Sequence, residues 1–351
     1  MPQQKIFLSI VTPVYNNTQA LMDLLSSINR SNFRAFDSIE AIIVDDGSKN
    51  NPDYSLRKLE KQMKFSITIR RLEKNSGPAF ARNFGVSKAY GQYILFLDAD
   101  VLLKKDTLQK SFDFFKRKKG RAFTGIWSKT QKNKRWFPQF KALRDHAYWF
   151  IEREQNARYY LFSTRIAGIE KKLFENIGGF TTSYTKPTVE DIELTYKIEK
   201  HAKISFEPNI VVYHEFEDFF ALSRKYFLRS RDWIKLYIKR LRFDPVATSK
   251  HEAYKSVVSG LLFIFLILYF ISGETILIVI TALLFVIFLI QEYRFLQFLL
   301  REKGLVFMLY AIPTALMLYL IINIGSCIGL VEYYFRKPKG LTSRPPLRTS
   351  K

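Results

Sequence analysis

Two aspartates one residue apart, Asp98 and Asp100, close the apolar run Tyr93-Ile94-Leu95-Phe96-Leu97. Carboxylates at i and i+2 on a strand end suit a divalent cation. Mg2+ or Mn2+ takes oxygen ligands, usually only one or two of them protein carboxylates, with phosphate completing the shell. Such an ion neutralises the charge that develops on a departing phosphate. An Asp-x-Asp is also an ordinary solvated turn, and by itself it does not decide between the two. Other polar groups are as ambiguous alone. Asp45-Asp46-Gly47-Ser48 reads as a turn, because Asp-Gly favours one. Glu190 and Asp191 open a helical stretch and complement its dipole. His214 follows Ile210-Val211-Val212-Tyr213 and fits a partly buried, hydrogen-bonded histidine. His146, His201 and His251 have no supporting context.

The elements that would position these groups alternate. Phe7-Leu8-Ser9-Ile10-Val11 is a β-branched run ending at Thr12-Pro13, and Leu21, Leu24, Leu25 and Ile28 follow at helical spacing. Strands are expected at 41–44, 67–69 and 93–97, helices at 79–89 and 189–200. Strand–helix alternation predicts a parallel sheet covered on both faces. Ligands of such sheets bind beyond the carboxyl ends of the strands, where the polar motifs fall. Residues 127–165 lack clean periodicity and are rich in aromatic and basic side chains. There Trp127, Trp136 and Trp149 would stack on ligand rings, dip into a bilayer, or simply pack.

The chain has 351 residues and a net charge of +23, which calls for a partner of negative charge. Because the basic residues are spread along the chain and long apolar runs follow, an anionic membrane surface is expected rather than nucleic acid. The single cysteine, Cys327, rules out a disulfide framework and fits a reducing compartment. Ile6–Val14 is too short and too interrupted for a signal peptide, so a cytoplasmic N-terminal domain is expected. From Ser223 to Phe243 eight basic residues alternate with aromatics, the composition of a helix in the headgroup region. Within it Arg229 and Arg231 anchor to lipid or hold the phosphate of a lipid carrier or leaving diphosphate. The stretches 256–273, 275–291 and 304–331 contain no Asp, Glu, Lys, Arg or His, which speaks against a transporter pathway. At about 1.5 Å per residue they reach across a ~30 Å hydrocarbon layer, so at least two should span it. The link 292–303 and the tail 336–351 both carry Lys and Arg, and the positive-inside rule wants both in the cytoplasm. Three full crossings would put the tail outside; Pro313 and Gly325-Ser326 would let the third segment bend.

Four motifs occur in order before and including the Asp-x-Asp. They are Thr12-Pro13-Val14-Tyr15-Asn16-Asn17, Val44-Asp45-Asp46-Gly47-Ser48, the run from Asn75-Ser76-Gly77-Pro78 through Ala81-Arg82-Asn83 to Gly85, and Phe96-Leu97-Asp98-Ala99-Asp100. Together they closely resemble the family 2 glycosyltransferases of GT-A fold, from about Ser9 to His214. The resemblance implies a role for each matching residue. Pro13 and Tyr15 would line the nucleotide base, Asp46 contact it, and Arg82 face the nucleotide pocket. Asp100 would hold the metal while Asp98 reaches the ribose, and His214 would complete the metal shell. Glu190 and Asp191 match the family's later acidic motif. Glu190 would then contact substrate, and Asp191 would take the proton of an acceptor hydroxyl in an inverting transfer. A phosphate acceptor is already ionised and needs no base, leaving Asp191 to orient it or bind cation. Processive synthases are similar too, but their Gln-x-x-Arg-Trp motif is broken here: Leu228-Arg229-Ser230-Arg231-Asp232-Trp233 lacks the glutamine, and Asp232 separates Arg231 from Trp233.

The expected architecture is α/β: a Rossmann-like GT-A nucleotide-sugar-binding domain over 1–215 and a basic interfacial segment over 216–252. A transmembrane region of two or three helices over 253–335 and a basic tail over 336–351 would follow. The expected function is a metal-dependent, inverting, hexosyltransferase-like enzyme of cell-envelope glycan synthesis, multi-pass in the cell membrane. It would take a nucleotide-sugar donor, Mg2+ or Mn2+, and a lipid-linked or glycan acceptor. The rivals are a processive polysaccharide synthase and a non-catalytic nucleotide-sugar-binding membrane protein. Asp46, Asp100 and Asp191 together speak against the latter.

Overall fold

The computed structural model describes residues 6–50, 60–152, 160–183, 187–241, 243 and 249–335. The tail 336–351 lies outside them. Strand β1 (Leu8–Val14) leads through α1 (Thr18–Asn29) to β2 (Ile39–Asp45) and β3 (Ser66–Arg71). Then come α2 (Pro78–Ser87), β4 (Tyr93–Leu97), the short β5 (Val101–Leu103) and α3 (Thr107–Lys116). After β6 (Ala122–Trp127), helix α4 (Trp136–Ala147) runs on into a π turn at Tyr148–Glu152. Strand β7 (Ile166–Glu170), α5 (Lys171–Asn176), α6 (Glu190–Glu199) and β8 (Ile204–His214) complete the sheet domain.

Alternation along the strands builds two layers. On β1, Leu8, Ile10 and Val14 pack with Leu21, Leu24, Leu25 and Ile28 of α1, while Val11 points to the other face. Strand β2 repeats this, with Ile39, Ala41 and Ile43 on the α1 side and Ile42 and Val44 against Ala79, Ala81 and Val86 of α2. The sheet has eight strands in the order β3-β2-β1-β4-β7-β6-β8-β5. It is parallel from β3 through β4, but β7 runs antiparallel between β4 and β6, so the whole is mixed rather than parallel. This reversal matters for the site. Leu97 pairs with Ile166, so the start of β7 lies beside the end of β4, and β7 delivers the residues before it to the carboxyl edge.

Four helices follow. Helix α7 (Phe219–Arg240) carries most of the basic run. Helices α8 (Lys250–Ser272), α9 (Thr275–Lys303) and α10 (Leu305–Phe335) are each long and apolar enough to cross a membrane. Their outer surfaces expose Ile264, Ile267, Phe270, Leu283 and Ile290, which no water-facing helix would present. A third apolar core joins them to the sheet domain: Phe137, Phe140 and Leu143 of α4 meet Phe288, Phe295 and Leu299 of α9 and Ala311, Ala315 and Leu318 of α10.

Beside this core lies a buried ionic cluster. Arg144 of α4 donates to both carboxylate oxygens of Glu292 at 2.5 and 3.1 Å and to the Tyr319 hydroxyl at 2.8 Å. Lys255 of α8, with no exposed surface, sits 3.0 Å from Glu292, 3.1 Å from Glu252 and 3.3 Å from Glu152. Groups from α4, its π turn and all three apolar helices thus share one knot. Sequence alone placed these charges outside the apolar stretches and gave no sign that they meet.

Candidate active site

The carboxyl ends of β1, β2 and β4 carry the motif residues to one edge. At the end of β1, Asn16 has a φ of 52° and its side-chain oxygen accepts from the Lys49 amide, joining the first motif to the second. Pro13 lies on β1, and Tyr15 stands half-exposed at the mouth. Asp45 is internal: it accepts from the Ser48 amide, closing the expected turn, and faces Arg71 at 3.3 Å. Asp46 accepts from the Ser76 amide at 2.7 Å and the Gly77 amide at 2.9 Å. It clasps the turn that leads into α2, where Gly77 adopts a φ of 90° and Pro78 opens the helix. Burial raises the pKa of Asp46 above the ordinary carboxylate value, with the two amides opposing that.

Helix α2 presents Arg82, which is 5 % exposed, to the centre of the edge. Its guanidinium donates to Asp98 at 2.7 Å, lies 3.8 Å from Glu190, and packs over the Phe180 ring. Burial works against its charge, and Asp98, Asp191 and Glu190 more than offset it, so its pKa is raised. Asn83 next to it exchanges two hydrogen bonds with the Phe180 backbone, fixing the glycine turn that precedes α6. Glu190 accepts from the Thr188 amide at the head of α6. Asp191 stands near the Thr164 amide and hydroxyl at 3.3–3.5 Å. Burial, then Glu190, pushes its carboxyl up to about 7, with Arg82 pulling the other way. A carboxylate poised near neutrality is suited to accept a proton.

The second acidic residue of the Asp-x-Asp faces another neighbour. Asp100 Oδ2 lies 3.7 Å from Nε2 of His214, since Val101 pairs with His214 across β5 and β8. Asp100 is half open to solvent yet hemmed in by protein, and that burial, then Asp98, raises its pKa. His214 is held well below its usual value by burial and by Arg165, Lys225, Lys141 and Arg229, so it stays neutral at pH 7. A carboxylate and a neutral imidazole at this spacing are donors that Mg2+ or Mn2+ accepts, with the rest of the shell left to phosphate and water. Among the described residues no set of three His, Cys, Asp or Glu groups forms a closed protein cage, so the fit is to an open site shared with a ligand.

The structure divides the basic pair expected here. Arg229 acts on His214, and its Nε is buried with no hydrogen-bond partner among the described residues. Arg231 faces Asp232 at 3.3 Å and Glu332 of α10 at 3.9 Å, away from the acidic edge. A residue that sequence reasoning missed takes the place beside the metal candidates. Arg165 stacks over Trp127 at 4.4 Å and lies 5.7 Å from the Phe216 ring, with its charge acting on both Asp100 and His214. Only the reversed direction of β7, immediately after it, would have pointed to it. Trp127 thus supports an arginine, whereas Trp149 stacks on Phe206 and Trp136 on Phe140, both as packing.

Residues 9–183 match the model of glycosyl transferase family 2. The putative teichuronic acid biosynthesis glycosyltransferase TuaG of Bacillus subtilis is 36% identical over 126 residues, 36% of this chain and 48% of its own. The poly(ribitol-phosphate) beta-N-acetylglucosaminyltransferase TarS of Staphylococcus aureus is 33% identical over 108 residues, 30% of this chain and 18% of its own. The match therefore spans less than half the length of either relative. Two solved structures share the fold over nearly the whole chain. The mannosyltransferase PcManGT of Pyrobaculum calidifontis, in complex with GDP-Man and Mn2+, has a TM-score of 0.53 at 17% identity, covering 96% of this chain and 89% of that one. Residues 1–349 of S. aureus TarS, in complex with UDP-GlcNAc, have a TM-score of 0.52 at 19% identity, covering 94% and 93%. The α/β sheet is that of the GT-A glycosyltransferases, and through residues 9–183 the chain belongs to glycosyl transferase family 2.

Proposed function

We propose that this protein is an inverting glycosyltransferase that moves a sugar from a nucleotide-sugar donor to a lipid-linked acceptor at the cytoplasmic face of a membrane. The observation that carries the reading is the meeting of three motifs on Arg82, which gathers Asp98, Glu190 and Asp191 around one guanidinium. Structures of the same fold hold UDP-GlcNAc and GDP-Man, which supports a nucleotide sugar as the donor class. In this reading Pro13, Tyr15 and Asp46 border the base, and Arg82 and Asp98 border the ribose and diphosphate. Asp100 and His214 would hold the divalent cation, which would supply charge neutralisation on the leaving diphosphate.

The transfer breaks the bond between the sugar's anomeric carbon and the donor phosphate, and forms one to the acceptor oxygen. With a hydroxyl acceptor the proton goes to Asp191, ionised above about pH 7. With a phosphate acceptor there is no proton to remove, and Asp191 orients the acceptor. Arg165 and Arg229 then supply the positive charge that such an acceptor needs. Arg231, turned to α10, serves anchorage instead.

The test is nucleotide release by the detergent-purified protein across a panel of nucleotide sugars, with Mn2+ or Mg2+, and with and without polyprenyl phosphate. Release restricted to one donor and raised by the lipid supports the reading and names the sugar. Release without stimulation keeps the transferase and redirects the acceptor. Donor binding without release from any donor would replace the enzyme by a nucleotide-sugar-binding protein.

A further inference from the structure

Helix α7 and the second half of α10 run side by side in the same direction. Gly325 lies against Ser230 and the Phe227 carbonyl, and Gly329 against Ile234 and the Arg231 carbonyl. Lys235 then pairs with Glu332 at 2.6 Å. Both helices advance by about a turn between these contacts, and the glycines permit the approach, since a Cβ at either would strike backbone oxygen. Helix α8 begins farther back along α10. The Tyr319 hydroxyl donates to Glu252 at 2.9 Å, and Asn323 Nδ2 donates to the Ser256 carbonyl at 2.8 Å. Gly260, a turn later on α8, still lies beside Asn323. Helix α10 therefore leaves α8 near Asn323 and continues along α7.

A third crossing conflicts with this packing. Were the second half of α10 in the hydrocarbon layer, it would carry α7 in with it. Residues 229–240 hold Arg229, Arg231, Lys235, Lys239 and Arg240 against Asp232 alone, and Glu332 adds only one more carboxylate. Each cation at the bilayer centre costs about 2.5–3.5 kcal/mol.

On the reading that α8 and α9 cross a bilayer, we propose that they are the only crossing. Helix α7 and residues 324–335 of α10 lie together along an anionic lipid surface on the catalytic side. The pair divides the work of one amphipathic helix. Helix α10 turns Ile324, Ile328, Val331 and Phe335 outward as an apolar row, and α7 supplies the cations that α10 lacks. Trp233, Tyr237, Tyr333 and Tyr334 have the chemistry of the headgroup level. The tail 336–351, with six Lys or Arg and no acidic residue, then stays on the catalytic side, as the positive-inside rule asks.

Labelling of single cysteines in sealed vesicles by a membrane-impermeant maleimide tests this. In a Cys327→Ser background, Ser87→Cys marks the catalytic domain, Glu274→Cys the turn between α8 and α9, and Ser350→Cys the tail. Each variant is first checked for the wild-type melting temperature. Ser350→Cys should label from the same side as Ser87→Cys, and Glu274→Cys from the opposite side. Labelling of Ser350→Cys with Glu274→Cys would establish a third crossing and overturn the proposal. Labelling of all three from one side would instead refute the crossing by α8 and α9 on which it rests.

Discussion

One guanidinium, Arg82, stands among three carboxylates, and the excess negative charge is resolved by Asp191 keeping its proton up to about pH 7. Activity on a hydroxyl acceptor should therefore fall about tenfold per pH unit below 7, and Asp191→Asn should lower kcat about 10²- to 10⁴-fold with donor KM little changed. The same shift has a thermodynamic sign. From about pH 4 to 7 the folded protein holds a proton that the unfolded chain has lost, so this group's contribution to stability falls as pH rises through that window and is level above it. Asp191→Asn lacks that loss. Its melting temperature relative to wild type should climb between pH 5 and pH 8, and a constant difference would show that Asp191 titrates normally. Arg82→Met removes the one guanidinium that offsets these carboxylates. It should cost about 3–5 kcal/mol in thermal unfolding, as breaking a buried pair does, and move the residual pH–rate profile to higher pH.

The elements near the edge act through turns. Asp46 was expected at the nucleotide base, and its two oxygens are engaged by the Ser76 and Gly77 amides, so its side chain holds the turn that leads into α2. Asp46→Ala strands two amides and should cost about 1–3 kcal/mol. Donor KM should rise more than kcat falls, which steady-state kinetics at varied donor would show; an unchanged KM would separate the clasp from donor binding. The strands at 41–44, 67–69 and 93–97 and the helices at 79–89 and 189–200 were legible within a few residues, because alternation and glycine or proline boundaries are local signals. Arg165 was not legible, since its place depends on β7 turning back against β4, a long-range pairing that no local pattern encodes. Arg231 misled for a similar reason. It lies near Arg229 in sequence, but residues two positions apart on a helix point away from each other, and Arg231 faces Glu332.

For the molecule as a whole, the Arg144 knot decides how sheet domain and apolar helices are joined. Sequence showed the apolar helices plainly but gave Arg144, Glu152, Lys255 and Glu292 no relation, as they lie up to 148 positions apart. Arg144→Met would leave Glu292, 1 % exposed, facing Lys255 and the Tyr319 hydroxyl only among the described residues. A loss of about 3–5 kcal/mol in detergent is expected, with partial recovery in the double variant Arg144→Met, Glu292→Gln; no recovery would mean that Arg144 acts by packing on Phe295 instead. The knot also bears on how the enzyme meets its acceptor. A peripheral protein can leave the membrane and search through the cytosol, but a sheet domain tied to α8, α9 and α10 by buried charges cannot let go without exposing Arg144 and the apolar face of α4. With α8 and α9 in a bilayer and a lipid-linked acceptor, encounters are confined to a plane. Turnover then depends on how many acceptors share that plane, and diluting the membrane with inert lipid slows the enzyme even when the bulk concentrations of protein and acceptor are unchanged.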